Sequence, residues 1–343
     1  MTNESYQVKA EQFFEITKVS DGRGEYPQML VLSGDHIGSA SCPEIIYHNG
    51  VYYNYNMTGP ITVKTSTDLR HWVVHPDRYA FSERPAWLID VSEEGAIWAP
   101  GCYKMGDRYY LYYCTSSSGS RNSAIGVAVS DDPSKNDWQD LGMVMRSYVY
   151  DGIMSGLSSN FNAIDPNVID DGNGNYYLVY GSYWNGIFMR RLDPKTGMPH
   201  ETDTNVYNIA RGNPNIEAAY IIKRGGYYYQ FVAKGSLSAG TYYWAVGRSE
   251  SITGPYYDKD GVSMMSDGGL RLTEYKDGVV GVAHAQYFED IDGQGYMVSE
   301  SWQYRDTDAG NSKIQLHISS VVWTDDGWPV TVLDPDVMGR LGE

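Results

Sequence analysis

Asp165, Glu217, Glu44 and His284 sit in otherwise apolar segments: Asn162-Ala163-Ile164-Asp165-Pro166, Ile216-Glu217-Ala218, Cys42-Pro43-Glu44-Ile45-Ile46 and Val282-Ala283-His284-Ala285. Ionisable groups in such surroundings call for a partner or a task. Taken singly, each acid reads as a strand cap or the partner of an arginine. Taken together they describe a chemistry. Two carboxyls facing across a pocket are what cleavage of a glycosidic bond needs: one, kept protonated, donates to the leaving oxygen, while the other, ionised, activates water. A separation of roughly 6.5–9.5 Å leaves room for that water and inverts the anomeric centre. Trp98, Phe161, Tyr183 and Trp184 offer ring faces on which a sugar could stack.

These residues are far apart in sequence, so a repeating architecture must gather them. A strand-like segment, a turn and an aromatic pair recur five times, with the first Tyr at positions 52, 109, 176, 227 and 296. The pairs are Tyr52-Tyr53, Tyr109-Tyr110, Tyr176-Tyr177, Tyr227-Tyr228 and, most degenerate, Tyr296-Met297. Each is followed by a stretch alternating apolar and polar residues, at 61–66, 124–130, 186–190, 244–249 and 314–319. Period-two alternation argues strands, and His48-Asn49-Gly50, Gly106-Asp107 and Asp171-Gly172-Asn173-Gly174 argue hairpin turns. No stretch of length has helical periodicity. Five units of about four strands each describe an all-β, five-bladed β-propeller. It spans 1–343 as a single domain, with residues 1–30 expected to close the ring. Counting back from each aromatic pair lands on Cys42 and Glu44, Trp98 to Pro100, Asp165, Glu217 and His284. Propeller geometry would place these around one mouth of a central channel.

The chain has 343 residues, with 26 Lys+Arg against 43 Asp+Glu and a net charge of −17, which argues against nucleic acid or an anionic membrane as partner. The abundance of Gly (37) and Tyr (31) suits turns and stacking faces. No apolar run is long enough to span a bilayer. Met1 to Phe13 lacks a basic start and an apolar core, so the expected location is cytoplasmic; a secreted protein with its leader removed is the competing reading. Three cysteines without CxxC or Cys/His spacing argue against a disulfide framework or a zinc site. The Asp/Gly/Asn runs at 170–175, 290–295 and 306–312 read as hairpin turns, because they lack the ligand pattern of a calcium loop. The sequence leaves the oligomeric state open.

Five segments carry a family resemblance: Ile97-Trp98-Ala99-Pro100, Asn162-Ala163-Ile164-Asp165-Pro166, Gly181-Ser182-Tyr183-Trp184-Asn185-Gly186-Ile187, Ile216-Glu217-Ala218, and Gly247-Arg248-Ser249 through Thr253-Gly254-Pro255-Tyr256. In this order they resemble glycoside hydrolase family 43, most closely its α-1,5-L-arabinanases, over about residues 35–325. The resemblance implies that Glu217 is the general acid and that Asp165 orients it and raises its pKa. It further implies that Ser182 and Asn162 bind sugar hydroxyls, that Trp98, with Phe161, Tyr183 and Cys42, lines the subsite, and that His284 lies near a calcium ion on the axis. The implied substrate is arabinan or an arabino-oligosaccharide, cleaved at α-L-arabinofuranosyl linkages with inversion. A related activity on xylan or galactan side chains is the alternative within the enzyme class.

The first blade departs from the family. Members usually begin it His-Asp-Pro-Ser, with that Asp as general base, where this chain has Ser41-Cys42-Pro43-Glu44. Three readings follow. Glu44, two residues along and so on the same strand face, takes over as base. Alternatively another acid, such as Asp35, Asp90 or Glu300, fills the role. In the third reading the propeller binds oligosaccharides without turning them over. The fifth blade also departs: Gly281-Val282-Ala283-His284-Ala285-Gln286 stands where arabinanases typically carry Gly-His-Asn, which bears on the calcium expectation.

Overall fold

The computed structural model describes residues 40–149, 158–213, 215–236, 241–273, 279–303 and 314–331, together with Leu30, Leu32, Ser33 and Ala239. Its strands fall into five antiparallel sheets of four, each built from consecutive strands. The first blade holds β1 (Glu44–His48), β2 (Val51–Asn56), β3 (Thr62–Ser66) and β4 (Val73–Tyr79). The second holds β5 (Gly101–Met105), β6 (Arg108–Thr115), β7 (Ser123–Ser130) and β8 (Gln139–Ser147). In the third are β9 (Asn167–Asp170), β10 (Tyr176–Tyr180), β11 (Ile187–Leu192) and β12 (Val206–Ala210). The fourth has β13 (Ile216–Arg224), β14 (Tyr227–Lys234), β15 (Tyr243–Ser249) and β16 (Leu270–Arg271), and the fifth β17 (Val279–Glu289), β18 (Gly295–Gln303), β19 (Ile314–Trp323) and β20 (Pro329–Val330). The leading strands touch in sequence, β1 to β5, β5 to β9, β9 to β13, β13 to β17, and β17 back to β1. The molecule is an all-β, five-bladed propeller.

Every aromatic pair lies in the second strand of its blade, and every alternating stretch in the third. The hairpin signals hold for a backbone reason. Asn49 and Gly50 between β1 and β2 have φ of 50° and 85°, the left-handed pair that a two-residue turn requires. In the β9–β10 turn Asp171 accepts the backbone N–H groups of Asn173 and Asn175, as an Asx turn does, and binds its own loop rather than a cation. The 306–312 run lies outside the described residues. So do Asp35 and the proposed ring-closing segment, except at Leu30. That residue donates its N–H to the Ile318 carbonyl of β19, while Ser33 bonds backbone to backbone with Arg70 and Trp72 of the first blade.

The core lies in layers between blades, filled by flat side chains. Between the fourth and fifth blades Phe231 stacks on Trp244 at 4.4 Å and on Tyr287 at 5.7 Å. Between the fifth and first, Ile45, Trp72, Val298 and Ile318 are buried together. Burying each such side chain contributes about 1.5–3 kcal/mol, so the layers hold the ring. Among the described residues there is no helix long and apolar enough to cross a membrane.

One backbone feature positions the site. At the channel mouth Cys42, Asp165, Ala218 and His284 have φ of 48°, 55°, 50° and 50°, left-handed values that L-residues rarely adopt. Pairing also shifts register between Glu217 and Tyr220 in β13 and between Ala283 and Gln286 in β17. Bulges of this kind re-aim side chains. The period-two alternation of β13 and β17 is thus reset at the channel mouth.

Candidate active site

Glu217 enters from β13 half-buried, and Asp165 from the loop before β9 fully buried. The Asp165 Oδ2 accepts the Ala218 N–H at 3.2 Å, which docks the third-blade acid beside the residue following Glu217. On the other side the Ser182 hydroxyl donates to Glu217 Oε2 at 2.7 Å. Burial pushes the Glu217 carboxyl up to about 7, the charge of Asp165 adds to the rise, and His284 and the Ser182 hydroxyl hold it down. Asp165 is raised to about 7 as well, by burial, against the pull of the Ala218 N–H. Two carboxyls this close and this shielded do not both ionise at neutral pH, so one proton stays on the pair.

Cys42 lies against the same acids. Burial raises its thiol well above the ordinary value, and the charges of Glu300, Asp165, Cys114 and Glu217 add to the rise, so it stays a neutral thiol. Its Sγ lies 3.8 Å from the Met57 sulfur and its N–H donates to Glu300 Oε2 at 3.1 Å. All three cysteines are free and buried.

Glu44 lines one cavity with Cys42, Asp165 and His284. The same-face rule presumes extended backbone, and Cys42 is left-handed. The Glu44 Oε1 accepts Gln286 Nε2 at 3.1 Å and the Cys102 N–H at 3.3 Å. Gln286 is itself clamped to the Ile45 backbone at both ends of its amide, at 2.7 and 2.8 Å. Burial pushes the Glu44 carboxyl well up. Glu44, Asn167, Tyr220 and Gln286 line the lower part of a cavity of about 30 Å³, with Asp165 and His284 also on its wall. That is room for a water molecule, not a sugar.

The remaining predicted residues divide. Tyr183 stands by the acids: burial, then the charges of Glu217 and Asp165, raise its phenol. Tyr183 and Trp184 both have left-handed backbone, and Trp184 is 48% exposed, its ring centroid 6.3 Å from that of Tyr183. Gly186, two residues on, is required: a Cβ there would stand 2.1 Å from the Ala210 carbonyl. Together they present an aromatic rim. Asn162 is buried, its side-chain oxygen taken by the Ser123 hydroxyl at 2.6 Å, so that acceptor holds the second blade to the third. Phe161 packs edge-on against Tyr180 at 5.3 Å, and Trp98 is partly buried in the same cluster. Asp90 is exposed at the end of a short 3-10 turn, Ala86–Asp90.

Glu300 and Gln286 carry more of the axis than their sequence context announced. One signal was available for Glu300. Four residues past the first Tyr of each pair, the blades carry Asn56, Tyr113, Tyr180, Phe231 and Glu300. A single acid stands in a row of neutral side chains.

Calcium favours six to eight oxygen ligands, carboxylates prominent among them. Among the described residues no three of His, Cys, Asp and Glu converge to hold a metal ion. The donor set at His284 does not fit a protein-built calcium site, and no step below passes through a cation.

The chain matches the family model of the glycosyl hydrolases family 43 over residues 36–329. It is 34% identical over 294 residues to an extracellular exo-α-(1→5)-L-arabinofuranosidase of Cellvibrio japonicus, covering 79% of this chain and 80% of that protein. It is 36% identical over 278 residues to an extracellular endo-α-(1→5)-L-arabinanase of Bacillus subtilis, covering 78% and 79%. Its fold superposes on the Cellvibrio cellulosa α-L-arabinanase complexed with arabinohexaose with a TM-score of 0.78 and 30% identity, over 88% of this chain and 97% of the other.

Proposed function

The chain belongs to the glycosyl hydrolases family 43, and on that footing we propose that it hydrolyses α-L-arabinofuranosyl linkages of arabinan or arabino-oligosaccharides with inversion at the anomeric carbon. The observation that carries this reading is the Glu217–Asp165 pair. Burial and like charge keep a proton on it near neutral pH, and the Ser182 hydroxyl fixes the direction of Glu217. Glu217 protonates the departing sugar oxygen while a second carboxylate, not Asp165, draws a proton from the attacking water. Asp165 anchors the Ala218 backbone and, through its charge, holds the acid protonated. Tyr183 and Trp184 supply the stacking surface at the rim.

Both relatives are described as extracellular, which supports action outside the cell. The presence of Cys42 at the acid cluster favours a second reading, a propeller that binds arabino-oligosaccharides without turnover. Incubation with linear arabinan and arabinotriose, with products resolved by chromatography and their anomeric configuration read by NMR, separates the two. Release of β-configured products that disappears in Glu217→Gln supports the hydrolase; binding without products supports the second reading. Arabinoxylan and arabinogalactan in the same assay test the related activities.

A further inference from the structure

We propose that Glu300, contributed by β18 of the fifth blade, is the general base of this enzyme, its carboxylate anchored on the backbone of Cys42. The proposal rests on the hydrolase reading above and names the group that reading leaves open.

Four buried or half-buried acids are described at the axis: Glu44, Asp165, Glu217 and Glu300. Glu217 is the acid. Asp165 is docked beside it on Ala218 and serves its proton. Glu44 holds Gln286 and the Cys102 N–H on its Oε1. Glu300 alone remains at the level of Cys42. The Cys42 N–H donates to its Oε2 at 3.1 Å, so the first blade supplies a backbone anchor and the fifth the carboxylate. The groups that face it are the Ser41 hydroxyl, His284, Cys42 and Glu217. Burial lifts its carboxyl, while His284, the Cys42 N–H and Ser41 favour the ionised form a base needs. The charge of Glu217 reaches it, and His284 acts on both. At 2% exposure it is shielded from bulk solvent, which suits a base that holds one water.

The step balances. Glu300 takes one proton from water as the water oxygen bonds to the anomeric carbon. The bond from that carbon to the leaving oxygen breaks, and the leaving oxygen takes the Glu217 proton. Glu300 then releases its proton to solvent and Glu217 regains one.

The test compares wild type, Glu217→Gln, Glu300→Gln, Glu44→Gln and Cys42→Asp/Glu300→Gln on arabinotriose and linear arabinan, with melting temperatures and oligosaccharide affinities by calorimetry. The proposal expects Glu300→Gln to lose about 10²- to 10⁴-fold in kcat with KM changed by less than about threefold. It expects Cys42→Asp/Glu300→Gln to regain at least about tenfold, because the new carboxylate stands among the same groups, and azide to restore turnover of Glu300→Ala as arabinosyl azide. A Glu300→Gln enzyme within about threefold of wild-type kcat overturns the proposal. So does an inactive Glu44→Gln beside an active Glu300→Gln. If Glu300→Gln fails to fold, the double variant decides: turnover supports the assignment and its absence overturns it. An inactive wild type fells the hydrolase reading itself, whereas an active wild type, a dead Glu217→Gln and an active Glu300→Gln fell only the base.

Discussion

The proton on Glu217 is set by burial and by three neighbours of known sign. Burial and Asp165 raise its affinity; His284 and Ser182 lower it. Catalysis needs this group protonated, so activity falls as pH rises through its pKa near 7. Replacing Asp165 by Asn removes a like charge and lowers that pKa. The alkaline limb of kcat/KM then moves to lower pH, by about one unit, and kcat at pH 7 drops. Ser182→Ala removes a donor that favours the ionised form, so the same limb moves to higher pH, while the loosened carboxyl costs kcat about tenfold. A pH–rate profile of both variants checks the opposed signs; shifts in one direction would contradict the roles given to these neighbours.

At the scale of the element, strand spacing gave most but not all of the placement. Asp165, Glu217 and His284 meet at the channel mouth, as counting back from the aromatic pairs predicts. Glu44 shares a cavity with Asp165 and His284 as the count expects, but the left-handed Cys42 beside it is invisible to residue spacing. Glu300, one of the alternative bases named from the sequence, sits in a second strand, which counting back from the aromatic pairs does not reach. Two predictions belong to this scale. A Cβ on Gly101, the first residue of β5, would stand 2.1 Å from the Pro166 carbonyl. Gly101→Ala should therefore destabilise by about 1–3 kcal/mol, read by denaturant melts, because backbone must move. In β19, His317 is fully buried, neither ring nitrogen has a partner among the described residues, and burial lowers its pKa to about 4. Unfolding lets it protonate, so its contribution to stability is present above about pH 6.5 and is lost as pH falls toward 4. His317→Leu should narrow the gap in melting temperature between pH 7 and pH 5; an unchanged gap would refute this.

For the whole molecule, five repeats were legible because each blade must offer flat apolar faces to its neighbours, and the Tyr pairs mark where. The family was legible because short motifs in successive blades stand in a fixed order. Net charge of −17 implies mutual repulsion across the surface. Raising sodium chloride from about 10 mM to about 150 mM shortens the screening length from about 30 to about 8 Å and should raise the melting temperature. No rise would place the cost of that charge elsewhere.

The left-handed residues at the mouth have a consequence for how such enzymes change. Because four blades turn their chain at the same rung, the backbone there departs from the alternation that sets each sheet's two faces. With Glu300 as base, the function that Cys42 vacates in the first blade is taken up from the fifth blade next door, and the scaffold stays still.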